Sequence, residues 1–89
     1  MRKIKSSTQF KKDYKRISKH GYRVDKLAVI ISLLAEDKDL PKRCRPHKLS
    51  GDYEDFWECH IEADWLLIYE YAENELRLRR TGTHSDLFK

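Results

Sequence analysis

With 89 residues, three Gly, two Pro and 38% charged side chains, the chain is too short for two independent domains and too poor in Gly and Pro for a collagen-like or low-complexity polymer. Its longest apolar run, Leu27 to Ile31, cannot cross a bilayer, and the basic start Met1 to Lys5 leads into polar Ser6 to Gln9 rather than the apolar core of a signal peptide. Two cysteines are too few for a disulfide-stapled secreted domain, so residues 1–89 are expected to form one cytoplasmic domain with a net charge of +4.

Arg2 to Lys5 reads as a short strand. Ser6 and Gln9 then have capping-box spacing, and Phe10, Tyr14 and Ile17 recur at i, i+4 and i+7, which predicts an amphipathic helix stopped by His20-Gly21. A second helical period runs from about Asp25 through Leu27, Ile30, Ile31 and Leu34. Asp39 to Pro46, with prolines at both ends of its basic stretch, is a loop, and Ser50-Gly51-Asp52 is a turn.

The period then changes from that of a helix to that of a strand. In Asp55 to Ile61, Trp57, Cys59 and Ile61 alternate with Phe56, Glu58 and His60, as in a strand with one buried face. Trp65 to Tyr71 is almost continuously apolar and predicts a central strand covered on both faces, joined to its predecessor by Glu62-Ala63-Asp64. Ala72-Glu73-Asn74 turns into Glu75 to Thr81, where Leu76 and Leu78 alternate with Arg77 and Arg79, and Gly82 ends the strand. The expected fold is α+β: an N-terminal strand, two helices, then an antiparallel β meander with the helices on one face.

Charge is distributed in blocks. Met1 to Arg23 holds nine Lys or Arg against the single acid Asp13, and Lys38 to Lys48 adds five more against Asp39. Ser50 to Leu76 has nine acids and no Lys or Arg. A basic surface concentrates polyanions, which suits binding to a phosphate backbone, although a solvated helix face has the same composition.

Four histidines raise a metal site first. Cys59 and His60 are neighbours on a strand and point to opposite faces, and Cys44-x-x-His47 lacks a second ligand pair, so no metal is expected. Cys59 reads as core and Cys44 as an ordinary loop thiol. Glu58 and His60 share one strand face, Asp64 lies in the next turn, and His47 and His84 flank the meander, so an antiparallel sheet can gather them at one edge. Such a cluster suits metal-independent RNA cleavage, which needs a base for the 2′-hydroxyl, a cation for the phosphorane and an acid for the leaving 5′-oxygen. Read from composition alone, these histidines are more readily ordinary surface residues in loops and on a strand face.

Three segments together resemble the YafQ branch of the RelE/ParE toxin superfamily: His47 to Gly51, Trp57 to Tyr69, and Arg79 to Phe88. The resemblance extends over the whole chain and implies a type II toxin, a ribosome-dependent endoribonuclease (mRNA interferase) that cuts the codon in the ribosomal A site. Matched position by position, it implies His84 as general acid and His60 or His47 as proton acceptor or phosphate ligand. Asp64 would orient a histidine, and Phe88 would stack on a nucleobase. Glu58 and Arg80 join as substrate-binding candidates, Arg80 only if the strand ends or bulges there, because strict alternation puts it on the face of Leu76 and Leu78. The implied partners are a cognate antitoxin, the ribosome with its rRNA, and mRNA, with operator DNA reached only through the antitoxin complex and no membrane or cofactor. The basic residues of the first helix and of Lys38 to Lys48 would grip rRNA.

Two positions depart from the family pattern. Glu58 stands where some members carry Asp, and Ala63 replaces a proline common before Asp64, which loosens the turn without removing a chemical group. The alternative activity is a non-enzymatic toxin of the same fold, directed at gyrase as in the ParE branch, or a plain RNA-binding module. The three histidines argue for the nuclease.

Overall fold

The structure, a computed structural model, describes residues 1–49 and 55–88. The turn expected at Ser50-Gly51-Asp52 lies outside them. Strand β1 (Lys3–Ser6) leads into α1 (Thr8–Lys19) through a single residue, Ser7, whose Oγ accepts the Phe10 N–H at 2.9 Å. A cap of this kind is worth about 1 kcal/mol. The expected box of Ser6 and Gln9 does not form: Ser6 remains in β1, and Gln9 donates through Nε2 to Asp13 at 3.2 Å.

The buried stripe of α1 also differs from expectation. Phe10 and Ile17 are buried, but between them Asp13 is fully buried while Tyr14 stays 41% exposed. Asp13 completes the i, i+3, i+7 row, and its carboxylate goes inward because the last strand meets it there with a guanidinium and a backbone N–H. The helix ends at His20, with Gly21 at φ 77, a left-handed stop that glycine adopts freely. The second helix, α2 (Val24–Ala35), buries Leu27, Ile30, Leu34 and Ala35.

Beyond α2 a 3-10 turn (Lys42–Cys44) inserts Cys44 fully into the core, where burial pushes its thiol up. This corrects the reading of Cys44 as an ordinary loop thiol: Arg43 and Arg45 stay exposed on either side while the small apolar side chain between them packs inward. Cys59 is buried as expected, and burial pushes its thiol up strongly.

A two-residue strand, β2 (His47–Lys48), precedes β3 (Trp57–Glu62), β4 (Trp65–Ala72) and β5 (Glu75–Gly82). The sheet order is β1-β5-β4-β3-β2. β2 to β5 are antiparallel, but β1 pairs parallel to β5, with Lys3 opposite Glu75 and Ser6 opposite Leu78, so the sheet is mixed. A lone first strand carries no signal of the edge it will join, and β2 is too short for its alternation to be read.

Central β4 is covered on both faces. Trp65, Leu67 and Tyr69 join Phe10, Ile17, Leu27, Ile30 and Leu34 in the main core, whereas Leu66 and Ile68 point the other way and pack with Leu87, Leu49 and Phe56. Leu87 belongs to α3 (His84–Leu87), a short helix absent from the sequence reading. Helical structure therefore covers both sheet faces: α1 and α2 one, α3 the other. No helix among the described residues is long and apolar enough to cross a membrane.

Candidate active site

The face of the sheet opposite α1 and α2 carries the titratable cluster. His47 pairs directly with Glu58 across β2 and β3, and His60 follows Glu58 by two residues, so strand alternation places all three side chains on this face while Cys59 and Ile61 fill the core. Glu58 is only 6% exposed. Its Oε1 lies 3.4 Å from His47 Nε2 and 4.0 Å from His60 Nε2, so one carboxylate stands between two imidazoles. His47 Nδ1 donates to the Arg45 carbonyl at 2.9 Å. Both nitrogens of His47 therefore lie near oxygen atoms.

The β3–β4 hairpin closes with Glu62 opposite Trp65, which leaves Asp64 in the turn at the sheet end. Beside it, β5 gives way to α3. Thr83 caps this helix in a reciprocal box: its hydroxyl accepts the Asp86 N–H at 3.2 Å and Asp86 Oδ2 accepts the Thr83 N–H at 3.0 Å. His84 is thus the first helical residue. Asp64 Oδ1 accepts both the His84 backbone N–H at 3.1 Å and the ring Nδ1–H at 2.6 Å. These two bonds hold the Asp64 carboxyl below its ordinary value of 3.8, the ring contact contributing most. They also fix the tautomer, so His84 presents Nε2 to whatever binds on this face.

The His60 and His84 rings are 6.0 Å apart between centroids, and the Phe88 ring, 42% exposed, is 6.5 Å from that of His84. The structure therefore brings His47, Glu58, His60, Asp64, His84 and Phe88 together on one open face. Glu58 is buried among the histidines rather than turned toward solvent. Among the described residues, no three His, Cys, Asp or Glu side chains are grouped to hold a metal ion.

A bulge is present at the place where the sequence reading required one for Arg80 to reach phosphate, but the Arg80 side chain is engaged by Asp13 of α1. Ile68 faces Arg80 while Tyr69 faces Leu78, so Arg79 is the extra residue and the alternation of β5 breaks there. The Arg80 guanidinium meets Asp13, with Nε at 2.8 Å and Nη2 at 3.3 Å from its two oxygens. Asp13 also accepts from Arg16 Nη1 at 3.1 Å and from the Thr81 N–H at 3.2 Å. Burial alone pushes Asp13 up, but the bonds from Arg80, Thr81 and Gln9 outweigh it and hold the carboxyl below its ordinary value. Arg16 continues through Nη2 to the Thr81 carbonyl at 3.3 Å and to Asp86 at 3.4 Å, which links α1 to the helix that carries His84. The sequence reading missed this network. Two signals were present: a lone acid on the apolar stripe of α1, and Thr83-x-x-Asp86 at capping-box spacing.

Residues 2–89 match the family described as a bacterial toxin of type II toxin-antitoxin system, YafQ. The chain belongs to the YafQ family. It is 38% identical over 88 residues to the mRNA interferase toxin YafQ of Escherichia coli, covering 98% of this chain and 96% of that one. The E. coli YafQ structure solved as the DinJ-YafQ complex superimposes with a TM-score of 0.91 at 37% identity over the full length of both chains. A metal-bound toxin from Helicobacter pylori superimposes at 0.94 with 39% identity, covering 99% of this chain and all of that one. The α+β fold of the YafQ toxins is therefore the fold of this chain, with a mixed five-stranded sheet in place of a pure meander.

Proposed function

We propose that this YafQ-family toxin is a ribosome-dependent endoribonuclease that cuts mRNA in the A site by general acid–base catalysis. One observation carries the reading: a histidine locked through Nδ1 by a carboxylate, His84 on Asp64, stands 6.0 Å across an open face from a second histidine, His60. Two imidazoles so placed address one phosphodiester from two sides. His60 takes the 2′-hydroxyl proton, the 2′-oxygen attacks phosphorus, and the His84 imidazolium gives its Nε2 proton to the departing 5′-oxygen, leaving a 2′,3′-cyclic phosphate. His47, on the other side of Glu58 from His60, is the phosphate ligand of the cluster. Glu58 orients the two rings it separates, and Phe88 offers an exposed ring on which a base of the codon stacks.

The expected partner is a cognate antitoxin, as DinJ is for E. coli YafQ. Its contacts on this face would keep RNA away, and any contact with operator DNA would come through that complex. The basic residues of α1 suit docking against rRNA.

The test is cleavage of an mRNA held in a programmed ribosome, with the cut mapped to the nucleotide. Wild type cuts once in the A-site codon and leaves ribosome-free RNA intact. His84→Ala melts like wild type, because the ring is half exposed and outside both apolar clusters, yet it loses about 10²- to 10⁴-fold in rate. A folded His84→Ala cutting at the wild-type rate would overturn the acid assignment. No cut by folded, antitoxin-free wild type would turn the reading toward a gyrase-directed or RNA-binding toxin.

A further inference from the structure

Most arginines of this chain have a carboxylate partner. Arg2, Arg16, Arg23, Arg77 and Arg80 each lie within ion-pair distance of Asp or Glu. Arg79 lies over the Phe56 ring, 5.3 Å from its centroid, whereas Arg43 and Arg45 are exposed and neither guanidinium makes an ion pair, a hydrogen bond or a ring contact with any described residue. Together with His60, Ile61, Glu62 and Ala63 they line a cleft of about 420 Å³. The cleft thus adjoins the acid–base cluster through His60. Its one acid, Glu62, is met from outside by Lys26 Nζ at 3.5 Å, so the net charge offered to a ligand is positive.

The backbone supports the same conclusion. Arg45 sits in the left-handed region, at φ 44 and ψ 59, where a residue other than Gly, Asn or Asp is strained. That conformation ends the 3-10 turn and aims the Arg45 carbonyl at His47 Nδ1. Glycine at this position would provide the carbonyl without the strain, so the hydrogen bond alone does not explain an arginine. What arginine adds is a guanidinium in the cleft beside His60, and its planar fork matches two oxygens of a phosphate.

We infer that Arg43 and Arg45 bind a phosphodiester of the mRNA strand next to the scissile one, holding the codon in register against His60. The inference rests on the nuclease reading above. It assigns these two side chains to the substrate strand, whereas the family resemblance implied that the whole Lys38 to Lys48 stretch grips rRNA.

Single-turnover cleavage in programmed ribosomes tests it, using mRNA with one neutral methylphosphonate at each phosphate flanking the cut in turn. The protein is wild type or the double variant Arg43→Gln/Arg45→Asn, in which Asn keeps the left-handed conformation and loses the charge. Loss of charged phosphate contacts slows the double variant about 10- to 100-fold on unmodified mRNA. One flanking methylphosphonate slows wild type by a similar factor and slows the variant no further. Arg43→Gln alone, at an exposed position of the 3-10 turn, repeats the comparison if the double variant melts early. Effects of variant and methylphosphonate that multiply at every position, or a variant that cuts at the wild-type rate, would overturn the inference. Failure of wild type to cut unmodified mRNA is a different result: it refutes the nuclease reading itself, and this inference with it.

Discussion

Replacing Asp13 by Ala tests how the helical face supports the candidate active site. The carboxylate is fully buried and accepts from Arg80 Nε, Arg80 Nη2, Arg16 Nη1, Gln9 Nε2 and the Thr81 N–H. Removing one partner of a fully buried ion pair costs about 3–5 kcal/mol. Here the Arg80 and Arg16 side chains are 23% and 36% exposed, so water recovers part of their solvation and lowers that contribution to about 2 kcal/mol. The buried Thr81 N–H, left without its acceptor, adds about 1 kcal/mol. The expected loss is about 3 kcal/mol, or roughly 12–24 °C in Tm for a domain of this size, measured by urea and thermal unfolding at pH 7. Asp13→Asn keeps an acceptor for Thr81 and loses less. The acid limb carries the same signature. Because the folded carboxyl titrates below its ordinary 3.8, its contribution is complete above that value and is lost as pH falls through the lower folded one. Wild type therefore loses stability below about pH 4 more steeply than Asp13→Asn does. Arg16 joins Asp13 to Thr81 and Asp86, so Asp13→Ala also slows cleavage at temperatures where it remains folded. A loss under about 1 kcal/mol with unchanged cleavage would refute this account of the network.

Asp64→Asn retains an acceptor for the His84 backbone N–H but removes the charge beside the ring, so it folds normally and cuts at least about 10-fold more slowly in the programmed-ribosome assay, with an altered pH–rate profile. An unchanged profile would show that Asp64 serves only the backbone. Gly82→Ala places a Cβ 2.7 Å from Arg16 Nη2 and 2.9 Å from Asp86 Oδ2 at φ 153, so it strains the turn into α3 and displaces the link to Asp86. The expected cost is about 1–3 kcal/mol in urea unfolding, with cleavage reduced beyond the change in folded fraction.

The elements with strong periodicity were legible in the residues themselves. α1 and α2, the apolar run of β4 and the alternation of β3 and β5 follow from spacing, because a helix face or strand face must be apolar wherever it is buried. The face shared by Glu58 and His60 follows from the same rule, and the turn position of Asp64 from the change of period after Ile61. The convergence of His47 and His84 on that face was legible only as a possibility of an antiparallel sheet, because both lie at element ends where periodicity gives no direction.

Tertiary structure decided what periodicity leaves open. A strand of four residues at the N-terminus contains no mark of its partner, and its parallel pairing on the edge of β5 makes the sheet mixed. Tyr14 and Asp13 compete for one stripe of α1, and the aromatic ring loses because β5 brings Arg80 and the Thr81 N–H to the acid's side. The bulge at Arg79 is likewise hidden from the sequence, because a bulge is a property of two paired strands rather than of either alone. The sequence by itself determined which chemical groups this protein has and most of the faces that carry them. The distances that bring His84, Asp64 and His60 together come from long-range pairing and packing, because those residues are up to 24 positions apart and no local rule reaches that far.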